Sequence, residues 1–178
     1  TLLLPLVLLF IVLIFFTKIF LNIREPLFFT QQRYGKNDNL FTLYKFRTMH
    51  TGAENEGNTE VNDSRIYSFA RVLREYRIDE FPQIFNILIG NMHLVGPRAE
   101  WFKLSDKYNN NINHYKLRHV VKPGITGWAQ IVYPYGFNEE DAKQKLMYDL
   151  YYIKNWTVWL ELEICFKTVL VILDKRGF

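Results

Sequence analysis

The stretch RIDEFPQIFNILIG, Arg77 to Gly90, decides how the chain is read. Carboxylates stand near its head, a proline follows, an apolar run comes next and a glycine closes it. Asp is a good helix N-cap, Pro is tolerated in a first helical turn and Gly is a common stop, so the pattern predicts a helix that begins at Asp79 and ends at Gly90. Ile84, Phe85, Ile87 and Leu88 give that helix a broad apolar surface. Asp79 and Glu80 are neighbours, pointing about 100° apart on a helix, so they cannot act as a facing pair and would hold different jobs.

At a helix N-terminus, free N–H groups and the macrodipole favour negative charge, which keeps a carboxylate ionised and makes the same spot a phosphate site. An ionised Asp79 is suited to attack phosphorus, as carboxylates do in enzymes that pass through aspartyl-phosphate. Glu80 is a candidate to hold Mg²⁺ bridging substrate phosphates, because that ion takes one or two carboxylates plus phosphate oxygens. On the pair alone, an N-cap followed by a dipole-favouring Glu is the simpler reading. The surrounding cations shift the balance. Lys45 and Arg47 stand in the strand-like KFRTM, Arg98 follows Gly96 and Pro97 in LVGPRAE, and Arg118, His119 and Lys122 precede Pro123-Gly124 and Gly127-Trp128. Cations held beside rigid turns are what clamping an anionic diphosphate requires.

Outward from this centre, Phe28 to Arg33 and Leu40 to Phe46 are aromatic and β-branched runs flanking Gly35 to Asn39, the pattern of a β-hairpin with a longer loop. Thr51 to Ser64 is polar with two glycines and reads as a mobile loop or lid. Ile66, Phe69, Ala70 and Leu73 follow helical spacing. Asn138 before Glu139, Glu140 and Asp141 marks another helix start, with Ala142, Leu146, Leu150 and Ile153 on one stripe. Trp156 to Leu173 is rich in Trp, Leu, Ile and Val; core packing is the first reading, and an interfacial helix resting its tryptophans at lipid headgroups the second. Strands are too few for a βαβ series. The fold class is α+β, mainly helical: a small β-hairpin, amphipathic and interfacial helices, and an N-terminal re-entrant membrane helix.

Residues 1–22 form that membrane part and 23–178 a cytosolic catalytic domain. From Leu2 to Phe16 there is no polar side chain. Pro5 to Leu21 would span about 25 Å as a helix, short of a ~30 Å bilayer core, and Pro5 would kink or start it. No small-residue cleavage site follows, which argues against a signal peptide. Lys18, Arg24, Arg33 and Lys36 outnumber Glu25 and Asp38, which sets this flank on the cytoplasmic side. The apolar run starts abruptly and without Met, so further upstream sequence is expected. A net charge of +4 is spread singly beside Gly, Pro and carboxylates rather than in a basic strip, so small phosphorylated ligands fit and nucleic acid does not. The lone Cys165 forms no internal disulfide, and no histidine pattern suggests zinc.

The blocks FFTQQRYGKNDNLFTLYKFRTM, RIDEFPQIFNILIGNMHLVGPRAE, VKPGITGWAQ and YDLYYIKNW resemble the signature of the monotopic phosphoglycosyl transferases, the bacterial sugar transferase family. They occur in family order and cover nearly the whole chain from Phe28 to Arg176. The resemblance implies an enzyme at the cytoplasmic face of the bacterial inner membrane. It would use Mg²⁺ to transfer a sugar-1-phosphate from a UDP-sugar to undecaprenyl phosphate, releasing UMP. Such a step begins glycoconjugate assembly, for exopolysaccharide, lipopolysaccharide or capsule. By position, Asp79 matches the family nucleophile, Glu80 the metal-associated acid, Lys45 and Arg47 the KFR motif, Arg98 the Pro-Arg motif and Asp149 a further functional acid. Arg118 joins Lys45, Arg47, Arg98 and Asp149 as a substrate-binding candidate, membrane lipid is an expected partner and a homodimer is allowed. One departure is that Leu4, rather than Ser, precedes Pro5. A nucleotide-sugar glycosyltransferase, which would usually carry a D-x-D motif, and a membrane-anchored interaction module are the competing readings.

Overall fold

A computed structural model describes residues 4–53, 63–133, 136 and 138–174. The hairpin forms as expected. Strand β1 (Phe28–Tyr34) runs antiparallel to β2 (Leu40–Phe46), with Phe28 opposite Phe46 and Tyr34 opposite Leu40. Alternation along β2 puts Phe41, Leu43 and Lys45 on one face. Phe41 and Leu43 are buried with Met92 and Ala99, so the same face carries Lys45 inward. On the other face Phe46 packs against Ile66, and against Ala70 and Leu73 of α2 (Ser68–Glu75); Ala70 and Leu73 follow the stripe read from sequence, but Ile66 stands before the helix in an isolated bridge to Met49.

Helix α1 (Leu4–Phe20) joins this same cluster through Ile14. Lys18, one turn on, is also buried and donates to the Pro26 carbonyl at 3.2 Å, while Leu9, Phe16, Ile19 and Phe20 point away from the protein. The Phe10 ring meets Phe81 edge-on, centroids 5.3 Å apart. Pro5 sits in the first turn of α1. At 17 residues the helix is about 26 Å long, and no helix among the described residues is long and apolar enough to cross a membrane.

The helix expected from Asp79 starts later. Ile78–Glu80 form a 3₁₀ turn entered through Arg77 at φ 54°, and α3 (Gln83–Ile89) follows Pro82. Pro82 has no N–H to close an α-helical bond onto Ile78, so the chain stays tightly wound, with Phe81 N–H donating to the Ile78 carbonyl and Ile84 N–H to Phe81. Asp79 therefore caps nothing, and both it and Glu80 are buried. Gly90 ends α3 in the left-handed region, as expected.

The apolar surface read on α3 is not the part of the helix that is fully buried. Its buried residues are Gln83 and Asn86, whereas Leu88 and Ile89 are exposed. Asn86 acts as a strand partner: its Oδ1 accepts the Tyr44 N–H at 3.2 Å and its Nδ2 donates to the Thr42 carbonyl at 2.7 Å, which clips α3 to the open edge of β2.

A second, parallel pair was not foreseen, because its strands are only three residues long: β3 (His93–Val95) lies beside β4 (Gly124–Thr126). Between them run α4 (Phe102–Asn111) and a 3₁₀ turn over Tyr115–Val120. After α5 (Trp128–Val132), α6 (Glu139–Lys154) opens on the expected Asn138, whose side chain and that of Asp141 cap each other's backbone N–H. Ala142 and Leu146 are buried as read, with Leu150 and Ile153 packed at cluster margins. In α7 (Val158–Leu173) only Ile164 is fully buried, and Trp159, Leu162, Phe166 and Leu173 are exposed, so core packing is not its main role. The expected lid over Thr51 to Ser64 falls mostly outside the described residues.

The Asn86 clip leads to a stability prediction. Asn86→Ala leaves two part-buried backbone groups of β2 unpaired and should cost about 2–4 kcal/mol in urea unfolding.

Candidate active site

Three segments converge on Glu80. From β2, Lys45 Nζ donates to Glu80 Oε1 at 2.7 Å. From the segment after β3, both terminal nitrogens of Arg98 lie 3.4 Å from the same oxygen, and Arg77 Nη1 is 3.8 Å from Oε2. Burial pushes the Glu80 carboxyl upward, but the charges of Lys45, Arg98 and Arg77 outweigh it and hold the group well below its usual range. Asp79 moves the opposite way. Burial raises it and the Glu80 charge adds to the rise, against Lys45, Arg74 and Arg98. The surroundings thus push the two neighbouring acids apart, Glu80 toward the ionised form and Asp79 toward the protonated one.

Asp79 opens into a cleft of about 630 Å³. Lys45, Arg47, Arg98 and Arg118 line it, joined by Arg33, Arg74, Arg77, Lys103 and Lys145, none of which the sequence marks as a site residue. Only two carboxylates, Asp79 and Glu100, line the described part of this wall. A cavity so lopsided in charge selects anions. His119 and Lys122, grouped with Arg118 in the sequence reading, do not line it; His119 Nδ1 instead contacts Asp38 Oδ1 at 2.6 Å.

The segment that carries Arg98 is fixed by a backbone crossing. A Cβ on Gly124 would lie 2.1 Å from the Gly96 nitrogen, and one on Gly127 would lie 2.2 Å from the Gly96 carbonyl oxygen, so LVGPRAE and KPGITGW approach at a distance that no side chain allows. Arg118 adds a second restraint. Its Nη2 donates to the Arg98 carbonyl at 3.0 Å and pairs with Asp149 Oδ2 at 2.7 Å, while Nη1 donates to the Tyr115 hydroxyl. Asp149 is not in the cleft wall; it lies behind Arg118, fully buried, with burial pushing its carboxyl up to about 6 although Arg118 opposes the rise. Arg47 lies over the Phe29 ring at 5.6 Å.

A metal is best tested on Glu80. Its Oε1 is occupied by Lys45 and Arg98, but Oε2 is buried without a hydrogen-bond partner, an acceptor suited to one bond from a hard cation. Among the described residues no cluster of three or more His, Cys, Asp or Glu is available, so a dication here would rely on phosphate and water for its other ligands.

The model of the family described as bacterial sugar transferase matches residues 1–175. The chain belongs to the bacterial sugar transferase family. Among curated relatives of this sugar transferase, the UDP-N-acetylgalactosamine-undecaprenyl-phosphate N-acetylgalactosaminephosphotransferase of Aeromonas hydrophila is 43% identical over 85% of the chain and 36% of that protein. The UDP-glucose:undecaprenyl-phosphate glucose-1-phosphate transferase of Xanthomonas campestris is 41% identical over 85% of the chain and 32% of that protein. The uncharacterized sugar transferase EpsL of Bacillus subtilis is 40% identical over 88% of the chain and 75% of that protein. The chain thus spans about a third of the length of the first two relatives.

The Arg118–Asp149 pair gives a prediction that separates support from chemistry. Asp149→Ala strands a buried guanidinium and should destabilise the fold by about 3–5 kcal/mol in chemical denaturation, whereas Arg47→Ala, at a partly buried position with no such charge partner to strand, should cost well under half of that.

Proposed function

We propose that this chain is the catalytic part of a phosphoglycosyl transferase that moves a sugar-1-phosphate from a UDP-sugar to undecaprenyl phosphate and releases UMP. The observation that carries the reading is Asp79, a buried carboxylate opening into a cleft walled by lysines and arginines and backed by the cation-caged Glu80. The relatives named for undecaprenyl-phosphate sugar phosphotransfer support it. In the first step an Asp79 oxygen attacks the sugar-bearing phosphorus, the bond to the bridging oxygen breaks and UMP departs with the electron pair. In the second, a phosphate oxygen of the lipid attacks the same phosphorus, and the aspartyl–phosphorus bond breaks to restore the carboxylate. Lys45, Arg98, Arg47 and Arg118 are the residues offered to the charge of the diphosphate.

Mg²⁺ belongs to this proposal: Glu80 would hold it, and when bound it would neutralise phosphate charge. The setting proposed is the cytoplasmic face of the bacterial inner membrane, with α1 re-entrant. Its short length and the outward apolar residues of α1, α3 and α7 support that placement. The step would serve exopolysaccharide, lipopolysaccharide or capsule assembly.

The decisive experiment mixes the purified protein with UDP-sugar and Mg²⁺ but without lipid. About one UMP per active site should be released before turnover stalls, with the peptide around Asp79 gaining the mass of a sugar phosphate. Added polyprenyl phosphate should restart release; formation of UDP in place of UMP would mark a glycosyltransferase instead. Asp79→Asn should abolish the burst without unfolding the protein, because an amide cannot attack phosphorus. Because the attacking form of Asp79 is ionised and its carboxyl is raised by burial, kcat/KM should climb with pH. Its half-point should lie above the ordinary Asp value of 3.8 in a pH–rate profile of the free enzyme.

A further inference from the structure

Glu100 is out of place in a cleft built for anions. It lines the wall beside Trp101 and keeps 20% of its side chain exposed. A second negative charge in this wall repels a diphosphate, and the reaction described above gives it no part. Its backbone, however, is fixed from both sides. The preceding carbonyls are tied down, that of Ala99 by Arg33 Nη1 at 2.7 Å and that of Arg98 by Arg118 Nη2 at 3.0 Å, and the next residue, Trp101, bridges to Arg33 of β1. The carboxylate itself accepts no hydrogen bond among the described residues. Its nearest cation is Arg33 Nη1 at 3.8 Å, too far for one.

Burial alone would raise the Glu100 carboxyl, but Arg118, Arg98, Arg33 and Lys145 outweigh it and keep the group ionised. A rigidly mounted, ionised carboxylate with open lone pairs in a ligand-sized cleft is an acceptor waiting for donors that bring no charge of their own. Neighbouring hydroxyls of a sugar ring are such donors, and carboxylates bind ribose diols in dinucleotide sites for the same reason. We propose that Glu100 is a specificity residue of the transferase that accepts hydrogen bonds from hydroxyl groups of the donor, on the ribose or on the transferred sugar. The inference rests on the UDP-sugar reading and adds to it the residue that senses hydroxyls rather than phosphates.

The test is binding, not turnover. Calorimetry compares UDP, 2′-deoxy-UDP, UDP-glucose and UDP-N-acetylgalactosamine on the full chain and on Glu100→Gln, which is isosteric and breaks no hydrogen bond of the fold; matching thermal melts verify its folding. If Glu100 reads ribose, the parent chain prefers UDP over 2′-deoxy-UDP by about tenfold, and Glu100→Gln erases that preference. If it reads the transferred sugar, the variant binds UDP as the parent does but loses about tenfold for at least one of the two sugar nucleotides. Glu100→Asp, which keeps the charge but draws the oxygens back, should show the same loss. Equal changes for all four ligands, or tighter binding of all of them by Glu100→Gln, would overturn the assignment while leaving the transferase reading intact. Failure of the parent chain to bind any of the four would remove both.

Discussion

A carboxylate sealed inside a protein is tolerable only with its counter-charges in place, and Glu80 is the point at which this fold meets that demand. Lys45 arrives from the hairpin, Arg98 from the segment after β3 and Arg77 from the turn itself. None of these comes from α3, the helix that follows the acidic pair. The register of β2, the amide clip from Asn86 and the glycine crossing all govern where a cation ends relative to one oxygen of Glu80. Removing any one of them leaves charge unbalanced in the interior, which costs far more than an exposed pair is worth.

That arrangement also explains how adjacent acids come to differ. Winding Ile78–Glu80 as a 3₁₀ turn buries both side chains, but the cations crowd Glu80, so burial is overcome at one residue and prevails at its neighbour. The cleft then receives Asp79 while Glu80 stays behind it. Charge separation between two residues linked by a single peptide bond is thus produced by surroundings rather than by their own chemistry.

The elements legible in the sequence were those with local signals: the aromatic hairpin, the amphipathic α2, the Asn138 capping box and the Gly90 stop. Lys45, Arg98 and Arg118 were singled out because motif position and nearby turns marked them, and the cleft contains all three. What escaped notice depends on contacts distant in the chain. Asn86 sits among Ile, Phe and Leu and looks like an outward polar residue, yet its partners lie on β2. The β3–β4 pair is too short for alternation to register. Arg74, on the amphipathic α2, and Arg77, just beyond it, carry no local signal, yet both line the cleft with Asp79. Asp149 was marked as a functional acid, but its burial behind Arg118 is a matter of tertiary depth that no spacing encodes.

The crossing of Gly96 with Gly124 and Gly127 has a bearing on how such a chain can vary. A single methyl at either of the later glycines would overlap the backbone atoms of Gly96, and backbone cannot step aside as a flexible side-chain tip does. Drift by one substitution at a time has no open path there, because the required displacement passes directly along the chain to Arg98, two residues from Gly96. Helices α1 and α7, with many of their described side chains outside the interior, have more room to diverge; the crossing holds a fixed point around which that divergence has to be arranged.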